Sequence, residues 1–229
     1  MIGGMSWEST ASYYKALNEG VKERLGGLHS AKICLYSVDF SEIEYLQHRG
    51  QWDKTADILC HAAQAVEAGG AEFFILCTNT MHKVALQIED SVGIPLLHIA
   101  DATAEELLEN KISRVGLLGT QFTMEQAFYR GRLEEKYGIE VLTPDEDDRG
   151  LVHKVIYSEL CLGHVSEQSR LDYLRIIAGL YAKGAEAVIL GCTEIGLLVG
   201  QQHTEVPLYD TTAIHARKAV EFGLSSSDR

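Results

Sequence analysis

The sequence has no apolar stretch long enough to cross a membrane, and its first residues lack the basic-then-apolar pattern of a secretory signal. Its five cysteines are an odd number without a closely spaced CxxC pair, so neither a disulfide framework nor a zinc knuckle is expected. These absences predict a cytoplasmic protein that binds no metal. In a reducing compartment a free thiol is available for chemistry.

Basic residues are scarce relative to acidic ones. The chain has 20 Lys and Arg against 33 Asp and Glu, which gives a net charge of -13. Such an acidic chain is not expected to bind nucleic acid or an anionic membrane surface. An anionic ligand would need a locally positive site, which helix N-termini and backbone amides can supply.

The two halves of the 229-residue chain resemble each other. In each half a Gly-Ala-Glu triplet leads into a short apolar run, and each run ends in a small polar cluster. Three pairs of segments match in the same order: 1–4 with 117–120, 70–80 with 184–194, and 94–97 with 206–209. A repeat of this length is typical of a duplicated domain rather than of a solenoid.

Strand and helix patterns alternate along both halves. Apolar runs at 33–38, 73–77 and 113–119 are typical of parallel strands covered on both faces, and 52–67 and 123–137 have helical spacing. We therefore predict an α/β fold of two similar parallel-sheet domains, related by pseudo-twofold symmetry, with the active site between them. The predicted domains are 1–97 plus 208–229 and 98–207.

The first strand of the first half is shorter than its counterpart. Met1 aligns with Leu117, whereas residues 112–116 complete the matching strand of the second half. Either translation starts further upstream, so that the counterpart of 112–116 lies ahead of Met1, or the protein tolerates a shortened first strand; we favour the upstream start.

Each half offers one hydroxyl or thiol at the end of a buried strand. Thr78 and Cys192 occupy corresponding positions of the repeat, and ligands bind beyond the carboxyl ends of strands in such sheets. Two such groups on opposite sides of a small molecule can move a proton across a stereocentre. A structural alternative stays open for Asn79, Thr80 and Thr193, because Asn and Thr directly before a helix are also common N-caps.

Residues 77–82, Cys-Thr-Asn-Thr-Met-His, and 191–195, Gly-Cys-Thr-Glu-Ile, resemble the paired signatures of the aspartate/glutamate racemase superfamily. With Gly-Gly-Met-Ser-Trp-Glu-Ser-Thr at 3–10, the resemblance covers essentially the whole chain. Dedicated glutamate racemases typically carry Asp-Ser-Gly near the start and His after Gly-Cys-Thr, where this chain has Gly-Met-Ser and Glu194. The chain is therefore similar to the aspartate racemase branch, and its Thr/Cys pair resembles the L-aspartate/glutamate-specific racemases.

The resemblance implies a homodimeric, cofactor-independent racemase that acts on a small acidic amino acid by two-base proton transfer. Cys192 matches the second catalytic cysteine of the family, and Thr78 stands where the first one usually lies. Because a hydroxyl is a far weaker acid than a thiol, we expect Cys192 to abstract the α-proton and Thr78, or a water beside it, to return one. Cys77 is an alternative to Thr78, but strand alternation aims it the other way.

The family's substrate contacts fall on the strand-end loops and on one polar stretch. Gln47 resembles the part of the family that reaches the distal carboxylate, with a solvated surface loop as the alternative reading. Aspartate racemases carry a lysine where this chain has Cys161, so the group that neutralises the distal carboxylate stays open. The implied substrate-binding residues are Met5, Ser6, Gln47, Asn79, Thr80, Thr120 and Thr193.

Two other function classes remain. A single-thiol decarboxylase or a cis-trans isomerase of an unsaturated diacid, both of the same superfamily, would need only Cys192. A non-catalytic protein that binds an acidic amino acid would keep the pocket and show no α-proton exchange.

Overall fold

The computed structural model describes residues 1–226, and the chain divides into two units. The first unit comprises Met1–Ile99 together with the chain from His215, and the second comprises Ala100–Ile214. The sequence-based boundary after residue 207 differs from this return point. Residues 208–210 form a strand of the second unit's sheet, so the chain rejoins the first unit only beyond that strand.

The first unit alternates short strands with helices. Its N-terminal part contains β1 (Ile2–Gly3), α1 (Trp7–Leu25), β2 (Tyr36–Ser37), α2 (Phe40–His48), α3 (Trp52–Ala68), a 3-10 helix (Thr80–Val84) and α4 (Ala85–Glu89). The predicted helix over 52–67 is confirmed, because α3 covers it and ends at the two glycines that follow.

The second unit has the same alternation with longer strands. In order it contains α5 (Ile99–Glu109), β3 (Arg114–Gly119), α6 (Gln121–Glu125), α7 (Ala127–Gly131), a π-helix (Arg132–Lys136), β4 (Glu140–Leu142), α8 (Glu146–Ser158), a 3-10 helix (Leu160–Leu162), α9 (Glu167–Ala182), β5 (Ala187–Gly191), α10 (Ile195–Leu198), a 3-10 helix (Gln201–His203), β6 (Leu208–Asp210) and α11 (Thr211–Ser226). The last helix carries the chain back into the first unit.

Both units are built on parallel strands, as predicted. The second sheet has the order β4-β3-β5-β6, and every residue of β5 is buried. In the first unit β2 pairs with β1, Ile2 bridges Leu76, and Phe74 bridges Leu96, all in parallel. The four segments of the first unit therefore follow one another in the same order as the four strands of the second.

The internal repeat is visible in the hydrogen bonds. The amide of Phe74 donates to the Pro95 carbonyl at 3.0 Å, and the amide of Val188 donates to the Pro207 carbonyl at 2.9 Å. These two bonds occupy matching positions of the sequence repeat, so the same strand register occurs in each unit. The predicted α/β fold with two similar parallel-sheet units is confirmed.

Three predicted elements are less regular than expected. The strand predicted at 33–38 is reduced to the two residues of β2. The strand at 73–77 is reduced to isolated bridges at Phe74 and Leu76, since the neighbouring β1 offers only two residues for pairing. The helix predicted over 123–137 is broken at Gln126, whose backbone is extended with φ -94° and ψ 150°.

None of the helices within residues 1–226 combines the length and apolar character that crossing a membrane requires.

Candidate active site

The second unit brings Thr120 and Cys192 to one edge of its sheet. Gly119 at the end of β3 pairs with Gly191 at the end of β5, and the two candidate residues follow directly. A Cβ on Gly119 would lie 2.8 Å from the Gly191 carbonyl oxygen, and a Cβ on Gly191 would lie 2.8 Å from that of Leu118. Only glycine lets the two backbones approach this closely, so the paired glycines hold the candidate side chains side by side.

Cys192 is hydrogen-bonded to a carboxylate. Its thiol donates to Oε2 of Glu194 at 2.9 Å, and the hydroxyl of Thr193 donates to the same oxygen at 2.8 Å. Cys192 is 7% exposed and Glu194 is 2% exposed. Burial, and then the negative charge of Glu194, raise the pKa of Cys192 well above its ordinary value. At neutral pH the resting sulfur is therefore a thiol, with a carboxylate oxygen in place to accept its proton.

Glu194 is a functional candidate that sequence reasoning missed. In the sequence it marks only a departure from the histidine of glutamate racemases. The available signal was its position two residues after the candidate cysteine, at the end of a buried strand. Thr193 bonds Glu194 and not the start of α10, whose first turn has no side-chain cap. The N-cap alternative for Thr193 is therefore wrong.

The amide groups at the start of α6 have partners within the unit. The Thr120 hydroxyl accepts a hydrogen bond from the amide of Thr123 at 3.3 Å, as an N-cap does. The amide of Gln121 donates to Nδ1 of His153 at 3.2 Å, so the ring proton of His153 is on Nε2.

In the first unit, Met5 and Ser6 follow β1. The Met5 side chain is 3% exposed and packs in the apolar core. Ser6 is the N-cap of α1, where its hydroxyl accepts from the amide of Ser9 at 3.3 Å. Gly4 before them has φ +92°, and a side chain there would collide with the Val38 carbonyl, so this turn requires glycine.

Thr78, Asn79 and Thr80 are all buried at the end of the segment that pairs with β1. Thr78 is 7% exposed, and its carbonyl accepts a hydrogen bond from Nδ1 of His82 at 2.8 Å. Asn79 precedes the 3-10 helix, but its side chain makes no capping bond there. The N-cap alternative is therefore wrong for Asn79.

Cys77 lies in a different environment from its neighbour Thr78. It is fully buried in an apolar cluster that includes Leu17 and Ile75. Burial raises the pKa of the Cys77 thiol to about 12, so it is not a base at neutral pH. Cys77 is the small apolar core residue that strand alternation favoured.

Gln47 lies on α2 and is 2% exposed, so the surface-loop alternative is wrong. Its amide Nε2 donates to the sulfur of Met81 at 2.9 Å. This contact brings Gln47 to the 3-10 helix that follows the Thr78 loop. Within the first unit the structure therefore joins Gln47 to the strand-end residues, across 34 positions of sequence.

Comparison with known proteins gives one consistent family. A family model described as Asp/Glu/Hydantoin racemase matches residues 2–219. The chain is similar to the solved structure of a candidate Asp/Glu racemase from Yersinia pestis, at 59% identity and a TM-score of 0.90 over 97% of each chain. It is also similar to an aspartate racemase homologue from Pyrococcus horikoshii OT3, at 35% identity and a TM-score of 0.83 over 97% of each chain.

A curated relative broadens the comparison. The broad specificity amino-acid racemase RacX of Bacillus subtilis (strain 168) is 24% identical over 168 residues, which are 73% of this chain and 72% of the relative.

Among the residues described, no group of three or more His, Cys, Asp or Glu side chains could hold a metal ion.

Proposed function

Because this chain belongs to the Asp/Glu/Hydantoin racemase family, we propose that it interconverts the L- and D-forms of aspartate or glutamate by cofactor-independent, two-base transfer of the α-proton. The observation that carries the proposal is the Cys192 thiol, which donates to a buried carboxylate at the end of β5. Racemisation needs a base that removes a weakly acidic proton, and a thiol becomes that base only after losing its own proton.

Glu194 supplies the place for that proton. Transfer from Sγ of Cys192 to Oε2 of Glu194 converts a thiol and a carboxylate into a thiolate and a carboxylic acid, so the pair keeps one negative charge. Direct loss of the thiol proton to water would instead place a second charge beside Glu194 in a buried site, which is costly. The thiolate then takes the α-proton of the L-amino acid and becomes a thiol again, and Glu194 releases its extra proton to water, which balances the proton that the donor on the opposite face takes from water.

Thr78 performs the opposite step. A hydroxyl cannot rest as an anion at neutral pH, so Thr78 donates a proton to the substrate carbanion and recovers one from water. The two proton-transfer groups therefore have different roles. Cys192 acts as a base after it has given its own proton to Glu194, whereas Thr78 acts as a proton donor or relay. This asymmetry supports a preference for turnover of the L-enantiomer.

The buried polar residues at the strand ends are proposed to bind the substrate carboxylates. Ser6 is the N-cap of α1, where the helix dipole favours an anion, and Thr120 is proposed to contact a carboxylate from the end of β3. Gln47 is proposed to donate to the distal carboxylate, since its amide lies beside the Thr80–Val84 helix. Asn79, Thr80 and Thr193 complete the proposed set.

The test is racemisation by the purified protein without added pyridoxal phosphate, read by chiral chromatography on L-aspartate and L-glutamate. We expect D-product from the wild type, none from Cys192→Ala, and nearly normal activity from Cys77→Ala. A wild type that forms no D-product from either amino acid contradicts the proposal. Loss of activity in Cys77→Ala with retention in Cys192→Ala would reverse the assignment of the base.

A second candidate function rests on Thr78 itself. Since this residue has no thiol, a decarboxylase or a cis-trans isomerase of a diacid that uses Cys192 alone would fit the same chain. Assays on unsaturated and branched diacids without an amino group separate this class from the racemase. Binding of aspartate without any α-proton exchange would instead indicate a non-catalytic amino-acid-binding protein.

A further inference from the structure

We propose that His82 is a positioning residue that fixes Thr78 for proton return; this inference rests on the proposed function. His82 is buried, with 3% of its surface exposed. Its Nδ1 lies 2.8 Å from the Thr78 carbonyl oxygen, and its Nε2 lies 3.3 Å from the amide nitrogen of Ile99. A carbonyl only accepts and an amide N–H only donates, so the ring proton is on Nδ1 and the ring is neutral.

The Thr78 carbonyl accepts its hydrogen bond from a side chain and not from a backbone amide. In an α-helix the amide of residue 82 would donate to the carbonyl of residue 78. Here the turn is a 3-10 helix, and the amide of His82 donates to Asn79 at 3.1 Å. The imidazole of the same residue supplies the donor that the Thr78 carbonyl would otherwise lack. One residue thus holds two consecutive carbonyls at the end of the segment.

The other side of the ring is anchored to the neighbouring segment of the sheet. Ile99, which donates to Nε2, begins α5 just after Leu97, and the Leu97 amide donates to the Phe74 carbonyl at 3.0 Å. The His98 ring packs against the His82 ring with centroids 4.4 Å apart. The imidazole therefore links the Thr78 loop to a strand segment that the sheet holds in place.

Orientation of the Thr78 backbone decides where its hydroxyl points. Only χ1 separates the hydroxyl from the Cα, so a displacement of the Thr78 Cα carries the hydroxyl oxygen with it. Proton transfer to carbon requires the reacting atoms to be within about 3–3.5 Å, and a displacement of about 1 Å can cost roughly 100-fold in rate. Loss of the His82 bond should consequently impair the Thr78 step more than the Cys192 step.

The experiment compares two substitutions of His82 in D2O with L-aspartate or L-glutamate. His82→Asn places an amide donor near the position of Nδ1, whereas His82→Leu removes the donor. Inversion is read as D-product, and the Cys192 step is read as deuterium in recovered L-substrate. His203→Gln is the control, because the ring of His203 also bonds a backbone group, accepting from the amide of Gly200 at 3.0 Å, but lies in the second unit.

We expect His82→Leu to lower the ratio of inversion to exchange by about 10- to 100-fold, and His82→Asn to restore most of it. His203→Gln should leave the ratio unchanged. An unchanged ratio in His82→Leu, or equal loss in the Asn and Leu variants, overturns the inference while wild-type racemisation still supports the proposed function.

A second readout does not depend on activity. The methyl signal of Thr78, labelled with carbon-13, should shift in His82→Leu and not in His82→Asn. If wild-type protein fails to racemise, the proposed function is wrong, but the methyl signal still tests whether His82 positions Thr78. A Thr78 methyl signal that is identical in all variants contradicts the positioning role.

Discussion

Glu194→Gln separates the two effects that this carboxylate has on Cys192. Glutamine has the same shape and keeps an oxygen that can accept from the thiol and from Thr193, but it has no negative charge and a far weaker affinity for a proton. The substitution removes the charge that raises the pKa of Cys192, while burial continues to raise it. We therefore expect the thiol to ionise more easily and the enzyme to work more slowly, because its proton acceptor is gone.

The magnitudes follow from the 2.9 Å contact between Sγ and Oε2. Two unit charges about 3 Å apart at an effective dielectric constant of about 20 repel by on the order of 5 kcal/mol. The pH midpoint for alkylation of Cys192 by iodoacetamide should thus fall, because the charge that raises the pKa of the thiol is removed. A general base contributes about 100- to 10,000-fold, so kcat should fall by at least about 100-fold.

The assays are alkylation rate against pH, followed by mass spectrometry of the Cys192 peptide, and kcat for conversion of the L- to the D-form. Glu186→Gln is the matched control, because Glu186 precedes the other end of β5 and bonds the amides of Ser113 and Arg114. The control should change neither quantity. An unchanged alkylation midpoint together with kcat within about twofold of wild type would refute the role of Glu194.

Three further predictions concern Thr78, the paired glycines and a buried histidine. Thr78→Cys should raise kcat for the D-enantiomer at saturation by about 10-fold or more, because a thiol is the better base on that face; an unchanged ratio of D to L kcat contradicts the asymmetry. Gly119→Ala should lower the free energy of unfolding in urea by about 1–3 kcal/mol, since its Cβ would lie 2.8 Å from the Gly191 carbonyl oxygen. Gly150→Ala, in open space on α8, should instead be neutral or stabilising by about 0.5–1 kcal/mol. Burial lowers the pKa of His215 to about 4, so as the pH falls the unfolded chain binds a proton before the folded chain does. The free energy of unfolding should therefore fall between pH 6.5 and 4, by on the order of 3 kcal/mol at about pH 4. In thermal melts, His215→Gln should make the melting temperature less dependent on pH over this range.

The sheets and the strand-end positions could be predicted because their signals are local and repeated. A glycine, an apolar run and a polar cluster occur in that order near Thr78 and again near Cys192, and the structure gives each run a parallel partner. The alignment of Met1 with Leu117 also indicated a first strand shorter than its counterpart. In the structure β1 has two residues and β3 has six.

The side-chain contacts could not be predicted in the same way. The bond between Gln47 and Met81 joins two helices that are distant in sequence, and nothing local distinguishes Gln47 from a solvated residue. The bonds that join His82 to Thr78 and to Ile99 depend on the 3-10 helix Thr80–Val84, and no local pattern in the sequence indicates that geometry. The sequence shows that residue 194 is a glutamate, but only the three-dimensional structure shows that its carboxylate accepts from Cys192.

The central claim is that Cys192 removes the α-proton and that a different group returns one to the opposite face. The most direct test places wild-type protein in D2O with protonated L-aspartate or L-glutamate and follows the first few per cent of the reaction. Two-base transfer predicts deuterium at the α-carbon of the D-product while the remaining L-substrate is still largely protonated. Deuterium that accumulates in the L-substrate without D-product would show that Cys192 acts alone and would contradict the account.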